Sequence, residues 1–209
     1  MAVVISASAG GYGNTNWLID NKRWFERYRD FPCPSNAITG LIMAGVPFQN
    51  IAYADGDSED PGTSNLCRFC PEIPEHCWGC ANVAGYVSWG IWGFNAGDWS
   101  SIMHFTNASA WYIMTSNESW NGQWGNVLGQ TRDNQYTFHR WFGPNAFRGT
   151  NYENTPVGAL TAVVEPLACY VEYGTYFRLW ASGKPFALCA WNTPIATAVQ
   201  ATGDPLVKR

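Results

Sequence analysis

Charge is what this chain has least of. Only 13% of its 209 residues are Asp, Glu, Lys or Arg, and they sum to −4. An acidic balance without basic clusters excludes nucleic acid as the main partner, because binding phosphates needs Lys and Arg in patches. Histidine is scarce as well: His76, His104 and His139 stand far apart in the chain. No G-x-S-x-G, H-E-x-x-H or phosphate-cradling glycine loop occurs, so no familiar catalytic system is spelled out and the expectation is a protein that is not an enzyme. No apolar run reaches the roughly 18 residues that a membrane-crossing helix needs. The opening MAVVISASAGG has no basic n-region and too short an apolar run for a signal peptide. That leaves a cytoplasmic chain, or a mature one that has shed its leader.

What the chain does have is aromatic side chains, 16% of the total, with 12 Trp among them. Trp89, Trp92, Trp99, Trp111, Trp120 and Trp124 fall within Ala84 to Val127. The early part of that stretch alternates, with Val87, Trp89 and Ile91 opposite Tyr86, Ser88, Gly90, Trp92 and Phe94, which is the period of a strand. Its end, NESWNGQWGN, is polar and Gly-rich and reads as a loop. Tryptophans on a polar loop suit a lipid interface, a sugar or a protein surface.

Gly, Asn, Ser and Thr are plentiful and long helical patterns are few, which predicts an all-β antiparallel sandwich. Residues 1–13 are small and Gly-rich and are expected to be flexible; residues 14–209 form the single sandwich domain. The one helical pattern lies at its start. Over residues 14–31, Trp17, Leu18, Trp24, Phe25, Tyr28 and Phe31 share one face, and Lys22, Arg23, Glu26, Arg27, Arg29 and Asp30 the other. This predicts a short amphipathic helix, lying either on a membrane surface or on the domain's own sheet. Residues 32–54 break at Gly40, Gly45 and Pro47 into short strands. QYTFHRWFG (135–143) alternates again. LTAVVE, ACYVEY, TYFRLWA and FALCAW read as an antiparallel meander.

Seven cysteines are present, an odd number. Cys67, Cys70, Cys77 and Cys80 form two C-x-x-C pairs in a Cys-rich loop at 67–80. They fit two disulfides in a secreted protein, the preferred reading, or a tetrahedral zinc site. No other cofactor is implied. Cys169 and Cys189 read as buried thiols on separate strands or as a bridge between them. The sequons at Asn107 and Asn117 permit glycosylation if the chain is secreted. Asp55, Asp57, Glu59 and Asp60 crowd one loop, read as solvated rather than as a calcium site. Glu118, Glu165 and Glu172 are the carboxylates available for glycoside hydrolysis.

Several of these pieces occur in a familiar order: an amphipathic N-terminal segment, the strand VAGYVSWGI, the aromatic loop SWNGQWGNV, then QYTFHR and FRGTN. Over residues 80–152 this resembles the actinoporin-type pore-forming cytolysins and their fungal lectin relatives. The resemblance implies a β-sandwich flanked by helices, with an aromatic loop that binds lipid headgroups. It implies that Trp120 and Trp124 are membrane contacts and Tyr136 a headgroup contact, and it sets Phe147-Arg148-Gly149 at a short Arg-Gly motif. Trp17 and Trp24 would add apolar area from the N-terminal helix. The expected function is therefore binding to a membrane surface, extending to pore formation, by a homo-oligomer. The alternatives are a self-assembling structural subunit (capsid, shell or fibre), a glycan-binding lectin and a β-sandwich glycoside hydrolase.

Overall fold

A computed structural model describes residues 16–22, 35–56, 79–88, 104–106, 111–116, 120–123, 138–164, 171–195 and 198–209. Its centre is a six-stranded sheet in the spatial order β2-β1-β4-β6-β7-β8. The strands are β1 (Asn16–Lys22), β2 (Ile51–Gly56), β4 (Val83–Ser88), β6 (Ile113–Ser116), β7 (Gly158–Ala162) and β8 (Val199–Gly203). All neighbours run parallel except β8, which is antiparallel to β7. Two short strands, β3 (Gly79–Ala81) and β5 (His104–Thr106), form a separate parallel pair. Three helices are described: α1 (Asn36–Met43), α2 (Tyr173–Ala181) and α3 (Phe186–Trp191).

This overturns the antiparallel sandwich. A parallel sheet is covered on both faces, so its strands are apolar at successive positions instead of alternating. Trp17, Leu18 and Ile19 are all buried, as is every residue of β6 and of β7. The start of the supposed amphipathic helix is thus β1, a central strand, paired from Trp17–Ile51 through Lys22–Gly56 with β2 and from Trp17–Gly85 through Ile19–Val87 with β4. The supposed meander is also corrected. Tyr173, Tyr176, Phe177 and Trp180 recur at helical spacing and are all buried, so TYFRLWA is helix α2, and FALCAW is α3. Phe138–Phe142, read as part of a strand, is a 3-10 turn.

One face of the sheet carries the helices. Trp17 meets Phe177 edge to face, with centroids 5.8 Å apart. The Trp180 indole donates to the Ala84 carbonyl (3.0 Å), and the Tyr176 hydroxyl to the Met114 carbonyl (3.1 Å). Both bonds lie in dry surroundings, where an unmade partner would be expensive. A side chain at Gly85 would strike the rings of Trp17 and Phe177, so this residue sets how closely α2 can approach. The opposite face is covered by the β6–β7 connection. Phe147 lies edge-on to Tyr86 (6.4 Å) and Tyr112 (6.2 Å), and Trp141 and Phe138 are buried. Phe147 has φ +52, which an aromatic residue adopts only at a cost of about 1–3 kcal/mol. The Asn154 amide helps hold it there by donating to the Phe147 carbonyl, and the Tyr112 hydroxyl donates to the Asn154 carbonyl (2.8 Å).

After β8 the chain turns back across the amino ends of the strands. The Val207 carbonyl accepts from the Phe186 N–H, the Lys208 carbonyl from the Trp111 indole, and the Arg209 guanidinium sits 5.2 Å over the Trp17 ring.

Candidate functional site

In sequence order the strands of the main sheet are laid out 2-1-3-4-5, with the antiparallel strand sixth. β1 leads through α1 to β2 on one side, and β4 leads towards β6 on the other. Neighbouring connections therefore leave the carboxyl ends of β1 and β4 in opposite directions. A crevice opens at such a switch point, and in open α/β sheets ligands bind there.

Two helices begin at this edge. α2 runs antiparallel to the strands: Tyr176 reaches Met114 in β6, and one turn later Trp180 reaches Ala84 near the start of β4. Its N-cap, Glu172, accepts the Thr175 N–H (2.6 Å), a charge-assisted cap that also suits the positive end of the helix. α1 crosses α2 at Gly40 and Gly174. A side chain at Gly40 would overlap the Gly174 carbonyl, and one at Gly174 would lie 2.9 Å from the Asn36 carbonyl. Only glycines let the two helices approach so closely, and the crossing brings both N-termini to the carboxyl edge.

The floor of that edge is polar and dry. Thr115 and Ser116 end β6, Thr161 lies near the end of β7, and Asn121 follows β6; all four are fully buried. Asn121 is the hub. Its side-chain oxygen accepts the Ala162 N–H (3.1 Å) and its carbonyl accepts the Phe138 N–H (3.2 Å), while the Gly122 N–H donates to the Ala162 carbonyl (2.8 Å). The 120–122 turn thus continues the ladder past the end of β7. The Asn121 side-chain nitrogen is buried and has no hydrogen-bond partner among the described residues. Such a donor is costly to leave unmade and is ready for an acceptor.

The residues singled out from sequence are distributed as follows. Trp120 is half-buried beside Asn121, with φ +51 and its N–H donating to the Val164 carbonyl. Trp17 is in the core under α2, away from any surface. Cys80 falls in β3. Trp24, Trp124, Tyr136, Cys67, Cys70 and Cys77 lie outside the described residues, as do Glu118, Glu165, Cys169 and most of the acidic loop. Glu172 is engaged as a helix cap. Cys189 is a free buried thiol on α3, not a strand residue; burial pushes its pKa up to about 12, and the sulfur leans on the Lys184 carbonyl. Among the described residues no group of three or more His, Cys, Asp or Glu is gathered as metal ligands, and no helix is long and apolar enough to cross a membrane. Sequence reasoning missed Thr115, Ser116, Asn121 and Thr161. Their only signal was position, since each sits just before or after the carboxyl end of a strand.

Fold and edge together define an open α/β domain with a buried polar floor at the carboxyl ends of its parallel strands. No protein-family model, curated protein or solved structure matches the chain.

Proposed function

We propose that this chain is a glycan-recognising α/β domain whose ligand lies on the carboxyl edge of the sheet, from the β1/β4 switch across to the ends of β6 and β7. The observation that carries this reading is the buried Asn121 amide, whose side-chain nitrogen has no partner among the described residues, at the edge where such sheets take ligands. Sequence position supports it. In sequence Trp89 comes next after the carboxyl end of β4, with Trp92 and Trp99 further on, and Trp120 and Trp124 follow β6. Sugars are bound by this pairing of chemistries: amide and hydroxyl groups for the ring hydroxyls, and flat aromatic faces for the ring C–H groups. The low net charge suits a neutral ligand. The membrane reading drew on an amphipathic helix at 14–31, but residues 16–22 of that span form a strand, and its Trp17 and Leu18 are already buried in the domain's own core.

The test is a titration of intrinsic tryptophan fluorescence, run in parallel with neutral oligosaccharides and with phosphatidylcholine vesicles. Saturable saccharide binding that weakens at least about tenfold in Trp120→Ala, a loss of about 1.4 kcal/mol, is the expected result. Binding to vesicles with no response to any saccharide would return the tryptophans to a lipid role and overturn this proposal.

A further inference from the structure

We infer that β8 and α3 form a two-fold interface through which two copies of this chain join their sheets edge to edge. This inference is independent of the glycan reading, since it rests on the outer edge of β8 and not on the carboxyl ends of the strands.

The backbone pattern comes first. In the β7–β8 ladder, the Val163 N–H donates to the Ala198 carbonyl and the Asp204 N–H to the Val157 carbonyl, an even number of residues apart on each strand and flanking the register Ala162–Val199 to Gly158–Gly203. Antiparallel pairs alternate between bonded and non-bonded, so Ala198, Gln200, Thr202 and Asp204 turn their peptide groups towards β7. Val199 and Ala201 turn theirs outward. Among the described residues no strand lies on that side.

An open edge of this kind is usually defended by Lys, Pro, a bulge or a covering segment. β8 reads Val-Gln-Ala-Thr-Gly, without Lys, Pro or a bulge, and among the described residues no segment covers it. Against the chain that leaves β8, α3 displays an apolar surface: Trp191 is 85% exposed and Leu188 47%, and Ile195 and Leu206 are exposed as well. The Ala187 N–H bonds the Pro205 carbonyl, which sets Leu206 next to α3. A large exposed Trp with apolar neighbours marks an interaction surface.

Charge identifies the occupant as a second copy. At a two-fold axis every group meets its own image, so a charge there repels itself. From Pro185 to Gly203 the chain carries no charged residue. The other edge of the sheet is unsuited to self-pairing: β2 includes Asp55 and leads into Asp57, Glu59 and Asp60. A two-fold perpendicular to the sheet makes β8 antiparallel to its copy and keeps both α3 helices on one face. Val199 and Ala201 then exchange N–H and C=O bonds with the partner strand. Ala201 faces the α3 side, opposite Leu160 in the ladder, and its small side chain leaves room for the partner's helix layer with Trp191.

Sedimentation equilibrium of the full chain, combined with hydrogen exchange at high and low concentration, tests this. The expected result is a dimer with a Kd tighter than about 100 μM. Ala201→Lys and Trp191→Ser, both at exposed positions, weaken it at least about tenfold, while Gln49→Lys at the far edge leaves it unchanged. In the dimer the Val199 and Ala201 amides are protected and lose protection on dilution; the Gln200 and Thr202 amides are protected at both concentrations. A chain that stays monomeric at several times that concentration, or a dimer indifferent to both variants, overturns the inference. So does a dimer in which Val199 and Ala201 exchange as fast as in the monomer.

Discussion

Gly40→Ala is the most informative single substitution, because local and tertiary effects oppose one another. Gly40 is inside α1, where replacing Gly with Ala stabilises an isolated helix by about 1 kcal/mol. The new methyl group, however, would overlap the Gly174 carbonyl and crowd the Gly174 Cα at 2.7 Å. These are backbone atoms of α2, anchored by Tyr176 and Trp180 to the sheet, and cannot swing aside as a side chain would. Relief therefore means moving α1 off α2, at the upper end of the overpacking range, about 3 kcal/mol. The net loss is about 2 kcal/mol, or roughly 4–8 °C in Tm for a chain of this length. Thermal unfolding followed by circular dichroism measures it. Gly45→Ala supplies the comparison: Gly45 has φ +81 and open space around it, so that variant pays only the left-handed backbone penalty of about 1–2 kcal/mol. A Gly40→Ala protein as stable as wild type, or more so, would refute the crossing. The two helix N-termini would then not meet at the carboxyl edge, and the site would lose its frame.

Two further predictions concern ionisation. Burial, reinforced by the neighbouring Tyr86, holds the Tyr112 hydroxyl well above its ordinary value of 10.0. The unfolded chain releases that proton first, so stability falls as pH rises through about 10. Tyr112→Phe should lower stability at pH 7 by about 1–2 kcal/mol, because Asn154 loses its donor, yet show a shallower alkaline decline in urea midpoints. The Cys189 thiol, at about 12, should resist alkylation by iodoacetamide at pH 8 in the native protein and react once denatured; rapid native labelling at Cys189, located by mass spectrometry, would contradict its burial.

Some of this architecture was readable in the residues and some was hidden by real ambiguity. Tyr86–Ser88 and Leu160–Ala162, both read from sequence as parts of strands, lie in β4 and β7. Trp17-Leu18-Ile19 was the misleading stretch. A central parallel strand is buried on both faces and offers no alternation, so a helical wheel can absorb it together with the aromatics downstream. Helix α2 was disguised by composition: Tyr, Phe and Trp favour strands, yet Tyr173, Tyr176, Phe177 and Trp180 kept the helical interval. The short α1, with Gly40 at its centre, looked like a broken strand, since the reason for that glycine is a second helix more than 130 residues away. The polar floor was the least legible part. Asn121 lies between two tryptophan positions that drew attention first, and nothing local distinguishes a buried Asn in a turn from an exposed one.

The order in which the strands are made differs from the order in which they are enclosed. β1 precedes every other described strand in the chain, yet it lies between β2 and β4, and the guanidinium that covers its Trp17 belongs to residue 209. A ribosome delivering these residues in order therefore makes Trp17, Leu18 and Ile19 before any strand that flanks them, and makes Arg209 after all of those strands. Contacts so distant in sequence slow folding, since each must close a long loop before it repays the entropy. During that interval the apolar β1 segment is open to misassembly or to capture by a chaperone.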